Sequence, residues 1–384
     1  MKNVLISGAS IAGPALAHWL TRYGYGVTIV ERAPGVRAGG QAIDVRGPAL
    51  DVAARMGVLD ELRAMGTGMR GMSVVDEGGS EVFRTTERTV SGGDLDAPDV
   101  EVLRDDLARL VADACDGVEY LFDDSIAVLE QDGEGVRVTF ESGLTRTFDL
   151  VVGADGLHSN VRRLVFGPAE RFVHHLGTYM AVCTVPNFLG LDHWQVMHQI
   201  PGPDLRGAMV MSVRDDTEAR AYLMFDSAEP IAYDHRDVEA QKDIVARELG
   251  HGRWEMPRLL ELMRRSPDFH FDSAAQIRMD AWSRGRVVLL GDAAYCGSPL
   301  SGQGTSLALV GAYVLAGELK AAGGDHVAAF AAYEKELRDY AEANQAVAVA
   351  NLRRRQAGDS AAELVDAGAE EFARVVASFG VRDY

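Results

Sequence analysis

The chain has little cysteine, a deficit of basic charge and no long uninterrupted apolar run. Its three cysteines (Cys115, Cys183 and Cys296) are spread through 384 residues without a C-x-x-C pair. That spacing argues against a disulfide scaffold or a cysteine zinc site and suits a reducing cytoplasm, where the protein is expected. Lys and Arg number 38 against 57 Asp and Glu, a formal net charge of −19. Nucleic acid and anionic membranes both demand basic surface, so neither is expected as a partner. No segment approaches the roughly 20 unbroken apolar residues of a membrane span. The apolar N-terminal stretch is broken by glycines and Pro14, and Glu31 and Arg32 follow it where a signal peptide would have small residues. Internal repeats and long low-complexity linkers are also missing. No metal site is expected. The composition is that of a folded protein long enough for two or three domains.

What is present begins at once. The opening reads MKNVLISGASIAGPALAHWLTRYGYGVTIVERA. Asn3–Ser7 has the pattern of a buried strand, and Ile11, Ala15, Leu16, Trp19 and Leu20 recur at helical spacing. Pro14 is tolerated in the first helical turn, where its missing N–H had no intrahelical partner. Val27–Glu31 reads as a second buried strand. Gly8-Ala9-Ser10-Ile11-Ala12-Gly13 is therefore a strand-to-helix turn close to the G-x-G-x-x-G fingerprint. Gly8 permits the tight bend and Gly13 permits close helix–strand packing. Ser10 replaces the glycine that lets backbone approach a pyrophosphate, but its hydroxyl can donate to a phosphate oxygen. The free amides of Ile11 and Ala12 and the helix dipole favour an anion there. Glu31 stands where an acid accepts from ribose hydroxyls.

Two later stretches have the same build. DLVVGADGLHSNVRR is a buried strand, a turn at Asp155-Gly156, and a helix for which Ser159 is the expected cap. GRVVLLGDAAYCGSPLSGQGTSLALVGAYVLAGEL is a buried strand ending at Gly291-Asp292, a Pro/Gly-rich loop and a long helix. Between the first and middle motifs, an amphipathic helix over 103–115 precedes an antiparallel ribbon with turns at Asp132-Gly133 and Ser142-Gly143. Residues 171–225 are strand-like and rich in Met, Trp and Tyr. Helices are expected near 238–248 and 257–264 and through the C-terminal region, with a break near Gly358.

The three motifs, in this order and spacing, resemble the FAD-dependent aromatic hydroxylases, the single-component (class A) flavoprotein monooxygenases. The resemblance spans about residues 1–320, and the length is similar to the tetracycline-inactivating members. It implies that Gly8, Ser10, Ile11, Ala12, Gly13, Glu31 and Arg32 hold the ADP half of FAD. It implies that Arg104 (in VLRDDL) and Arg46 (in DVRG) contact the cofactor, and that Asp155 and Gly156 serve both FAD and NAD(P)H. Asp292 matches the acid that accepts from the ribityl chain. Pro299, Gly302 and Gly304 match the loop beside the isoalloxazine ring, with a helix N-terminus aimed at the ring. The chain departs from the family at Ser10, at Tyr295 where His is common, and at Ser306 where Asn is common.

The implied fold is α/β: a Rossmann-like FAD domain, mostly parallel, assembled from 1–70, 98–168 and 281–322. A sheet-based substrate domain would comprise 71–97 and 169–280, with helices from 323 to 384 against both. The implied reaction consumes NADPH or NADH and molecular oxygen to hydroxylate a hydrophobic aromatic or polyketide-like molecule through a flavin hydroperoxide. The cofactor carries that chemistry, while protein places the substrate and excludes water. No catalytic base stands out among His174, His175, His193, His198, Tyr179, Tyr222 and Arg214. Met180, Met197, Met209, Met211 and Met224, with Trp194 and Phe225, are candidates to line an adaptable apolar pocket. Two rivals remain. A short-chain dehydrogenase would need Tyr-x-x-x-Lys on one helical face, and no tyrosine here has Lys four positions on. A protein that keeps FAD for a non-redox cyclisation, or only for binding, would share every cofactor contact.

Overall fold

The computed structural model describes residues 2–37, 39–90, 93–202, 204–357 and 373–384; the expected break near Gly358 lies outside them. The opening strand, Asn3–Ser7, sits inside a six-stranded sheet and pairs in parallel with Gly26–Val30 on one side and Leu150–Gly153 on the other. Val287–Leu289 continues the sheet beyond Leu150–Gly153, and Glu119–Leu121 closes the other edge beside Gly26–Val30. The central strands are covered on both faces, so they read as continuous apolar runs rather than alternating ones. The first helix, Ala12–Arg22, and the long helix Gly304–Ala321 pack together against this sheet. From Ser306 to Leu319 every residue of that long helix is buried, as expected where a helix is enclosed on all sides.

The predicted ribbon is a three-stranded antiparallel sheet, Ile126–Gln131, Val136–Phe140 and Thr145–Phe148. A seven-stranded sheet forms the second layer. Its order runs His270–Ile277, Val173–Pro186, Glu218–Asp226, Arg206–Val213, Gln195–Gln199, Met72–Val75 and Glu81–Thr85. The helices Val238–Leu249 and Met256–Arg265 cover one face and bury Ala181, Cys183, Val210, Leu223 and Phe225. The other face turns toward the first sheet. Tyr222 accepts from the Ala42 amide at 2.8 Å, and Arg220 Nε donates to the Gly40 carbonyl at 3.0 Å. The helix His326–Ala357 packs along Gly304–Ala321. Among the described residues no helix is long and apolar enough to cross a membrane.

Candidate active site

The three motif turns converge because glycine lets backbones touch. A Cβ on Gly8, whose φ is +110°, would stand 2.4 Å from the Ala154 carbonyl oxygen, next to the Asp155-Gly156 turn. A Cβ on Gly13 would stand 2.0 Å from the Gly8 carbonyl oxygen. Gly291, at φ +64°, faces the first helix, and a Cβ on it would stand 3.4 Å from the Ala12 side chain. The strand ends of 3–7, 150–153 and 287–289 thus open onto the first residues of the first helix.

Glu31 directly follows its strand and accepts from the Ala9 amide and the Ala33 amide, both at 2.9 Å. The acid is therefore fixed beside the turn. Ser10 Oγ accepts from Arg104 Nη1 at 3.3 Å, which leaves the hydroxyl proton free to point elsewhere. Arg104 is buried and also donates to the carbonyls of Arg37 (2.5 Å) and Gly39 (2.9 Å). Burial and the neighbouring Arg37 charge pull its pKa down to about 10, so it stays cationic at neutral pH. Arg32 is exposed beyond Glu31, near His235.

Asp155 does a local job. Its carboxylate accepts from Ser159 Oγ (2.5 Å), from the amides of Asn160 (2.9 Å) and Val161 (3.0 Å), and from Ser7 Oγ (3.3 Å). Ser159 caps the following helix through Arg162 N, as predicted. Gly156, at φ +79°, has nothing within 4 Å of a notional Cβ and leaves the turn open.

Asp292 is the exposed exception in a segment otherwise buried from Gly291 to Ser298. It accepts from the Cys296 thiol, yet the protein packed around it raises its pKa. A group both solvent-facing and crowded lies on the floor of a recess. A Cβ on Gly304 would be 3.8 Å from its Oδ1, so the start of the long helix forms the opposite wall. The loop between carries Pro299 and Gly302, and a Cβ on Gly302 would stand 3.9 Å from the Arg46 guanidinium. Arg46 pairs with buried Asp44 at 2.8 Å, and its amide donates to Ser306 Oγ at 3.1 Å. Burial outweighs that pairing and pushes Asp44 up to about 8. Asp44 was not singled out from sequence, because only folding brings it under the loop. The Gln303 side chain is fully buried there, and neither end of its amide has a partner among the described residues.

Two family departures have structural uses. Ser306 holds the Arg46 backbone. Tyr295 is buried, with its hydroxyl 3.0 Å from that of Tyr333, and it fills the space over Gly311.

The expected pocket residues divide by strand alternation. Cross-strand pairing puts Met180 beside Met224, Val182 beside Tyr222, then Met209 and Met197, and Arg220 beside Met211 and Gln195. All five predicted methionines share the face toward the first sheet. Phe225 does not. It stacks on Tyr179 (5.5 Å between centroids) beneath the covering helices, because odd-numbered residues of its strand point the other way. Trp194 is likewise held aside, with Arg84 over its ring at 4.0 Å and its Nε1 donating to Ser73 Oγ.

The candidate bases scatter too. His198 is buried against Trp254, and His175 donates to the Ser227 carbonyl. His193 sits in a surface turn with its Nδ1 3.0 Å from the Asp216 carboxylate. Arg214 ties that region to Asp105 and Asp106. Tyr222 faces the pocket, but burial drives its pKa up, so it is a poor proton acceptor. The groups that do border the recess were missed: His158 lies 2.9 Å from Asp272, and Asp272 pairs across strands with Met180. Their juxtaposition depends on register between distant strands, for which the sequence carries no local signal.

A flavin dinucleotide suits these residues. Free helix amides and Arg104 meet the demand of a pyrophosphate, Glu31 that of a ribose, and Asp292 that of a polyol chain. The comparisons agree. The family model described as FAD binding domain matches residues 1–352. An uncharacterized protein of Mycobacterium tuberculosis is 55% identical, with 100% of both chains covered. A flavin-dependent monooxygenase from an unknown prokaryotic organism is 44% identical over 91% of this chain and 89% of its own. The crystal structure of tetracycline destructase Tet(51) superposes with a TM-score of 0.91 at 34% identity, over the whole of both chains. With the cradle and these likenesses in agreement, the chain belongs to the FAD-binding-domain family and is a flavin-dependent monooxygenase.

Proposed function

We propose that the protein oxidises NADPH or NADH and uses molecular oxygen to hydroxylate a hydrophobic aromatic or polyketide-like small molecule. The observation that carries this reading is the methionine face lying opposite the flavin cradle. Six apolar or aromatic side chains (Met180, Met197, Met209, Met211, Tyr222 and Met224) share that face, and Met180, Met197 and Met224 are only partly buried. Unbranched thioethers adapt to a flat polycyclic body better than branched side chains do. FAD, when bound, supplies the activation of oxygen.

The protein's own residues do the rest. Ser10, Ile11, Ala12 and Gly13 receive the pyrophosphate, Glu31 with Arg32 orients the adenosine end, and Arg104 holds the loop over it. Asp292 fixes the chain leading to the ring. Arg46, Pro299, Gly302 and Gly304 shape the ring's edge, and Asp155 with Gly156 keeps the central turn open. The segments 1–70, 98–168 and 281–322 would act as the cofactor domain, 71–97 and 169–280 as the substrate domain, and 323–384 as a brace.

Tetracycline is the first substrate to test, given the activity in the name of Tet(51). The experiment follows NADPH and NADH oxidation under air with and without it and with other polycyclic phenols. Stimulation accompanied by an oxygenated product supports the reading. Product formed without any reductant would make this a non-redox enzyme instead.

A further inference from the structure

Behind the flavin loop lies a cleft of about 620 Å³. It opens between the helix His326–Ala357 and the neighbouring ends of the strands Val173–Pro186 and His270–Ile277. Phe172, half-buried, offers it apolar surface, above Ile277, Trp282 and Tyr295, which are themselves almost wholly covered. Arg171, His174, Arg278 and Arg338 stand around them. On a chain of formal charge −19, three arginines against two acids in one cleft run against the average.

The three arginines are not equally engaged. Arg338 is neutralised by Glu334 and Glu342 and lies over the Trp282 ring at 4.7 Å. Arg278 donates Nε and Nη2 only to the amide oxygen of Gln276, at 3.3 and 2.8 Å. Arg171 lies over the Phe172 ring at 5.4 Å and makes one long bond, 3.5 Å, to the Phe166 carbonyl. Among the described residues neither pairs with a carboxylate. His174 pairs across strands with Gln276, the residue that receives Arg278, and burial with the Arg278 charge lowers its pKa. Of the two acids in the lining, Glu342 is taken by Arg338, and Asp280 alone cannot balance both remaining arginines.

We propose that this cleft is a second ligand site, for an organic carboxylate with an aromatic body. A guanidinium binds a planar carboxylate bidentately, and two arginines that lack a carboxylate partner among the described residues, beside the half-buried Phe172 ring, match one anionic head on an aromatic body. The site is separate from the flavin recess but adjoins it. Gln276 Nε2 donates to the carbonyls of Gly297 (3.3 Å) and Gln345 (2.7 Å), and Gln345 Nε2 donates to Ile277 (2.7 Å) and Cys296 (3.2 Å). The amide that receives Arg278 on one side thus supports the flavin loop on the other.

The test is calorimetric titration of the FAD-loaded protein with 2-naphthoate and with neutral 2-naphthamide. Naphthoate should bind saturably and at least about tenfold more tightly than the amide. Arg171→Gln/Arg278→Gln should weaken naphthoate about tenfold or more, while Met224→Ala, on the methionine face, stays within about twofold. Circular dichroism checks folding. If the double variant does not fold, Arg278→Gln and Arg278→Lys decide, with the lysine retaining most of the affinity that the glutamine loses. Unchanged affinity in the arginine variants, equal binding of the amide, or loss on Met224→Ala alone would overturn the proposal.

Discussion

The proposed cofactor cradle and the methionine face are built by opposite means. In the cradle nearly every contact is made by backbone, or by a side chain within a few positions of a glycine turn. Gly8 and Gly13 act by what they lack, since a Cβ at either would press on a neighbouring backbone, and Gly291 by its left-handed φ of +64°. On the methionine face the side chains do everything, and their grouping depends on pairing between strands far apart in sequence. A dinucleotide is constant, so its site is fixed in local geometry. A substrate site can be retuned by exchanging side chains on an unchanged sheet.

The hardest blow to the cradle is Gly13→Ala. Its Cβ would meet the Gly8 carbonyl oxygen at 2.0 Å, inside any permitted contact. Moving strand from helix costs about 1–3 kcal/mol or more, and retained flavin should fall below about a tenth of wild type. Absorbance per protein after dialysis, with a melting curve, reads both effects. Asp292→Ala comes next. Loss of an acceptor for a buried polyol donor costs roughly 1–3 kcal/mol, or about 5- to 150-fold in FAD affinity, with the fold intact. A folded variant retaining full flavin would show that the recess is not the cofactor's.

Acid probes the seam between the two regions. His270 stands at the edge of the methionine face among Arg37, Arg104, His158 and Asp272, and burial with the arginine charges lowers its pKa to about 4. A histidine held neutral in the folded state takes up protons sooner when unfolded. Stability should therefore be full above about pH 6.5 and decline as pH falls toward 4, on the order of 3 kcal/mol. His270→Gln should flatten that part of the melting-temperature profile, and an unchanged profile would assign the acid sensitivity elsewhere.

The smallest effects separate neighbours. Met224→Ala should raise substrate KM by about 3- to 10-fold with flavin content unchanged. Phe225→Leu, one residue on and facing the other way, should cost about 1 kcal/mol of stability and leave KM alone. If both behave alike, the sheet has been read from the wrong side.

The same contrast explains what was legible in the sequence. Gly8, Gly13, Glu31, Asp155 and Asp292 declare themselves because each lies in a strand–turn–helix whose spacing has a mechanical reason. The methionines were visible as a composition, but alternation alone did not tell Met224 from Phe225, since both belong to one continuous apolar run. Asp44, His158 and Asp272 carry no local signal. They matter because a loop, a turn and a distant strand meet, and that meeting is a property of topology. Tyr295 and Ser306 show the reverse case, in which a departure from a familiar pattern is absorbed by a new structural contact.

The strand order also bears on how the protein is made. Leu150–Gly153, buried throughout, has Asn3–Ser7 on one side at once, but its other neighbour, Val287–Leu289, leaves the ribosome roughly 130 residues later. At ordinary synthesis rates of about 5–20 residues per second, that is an interval of roughly 7–26 s with one edge unpaired. An exposed apolar edge is the feature that recruits other chains into aggregates. Yield of active protein should therefore depend on translation speed across 154–286 and on chaperone supply, more than on the stability of the finished fold.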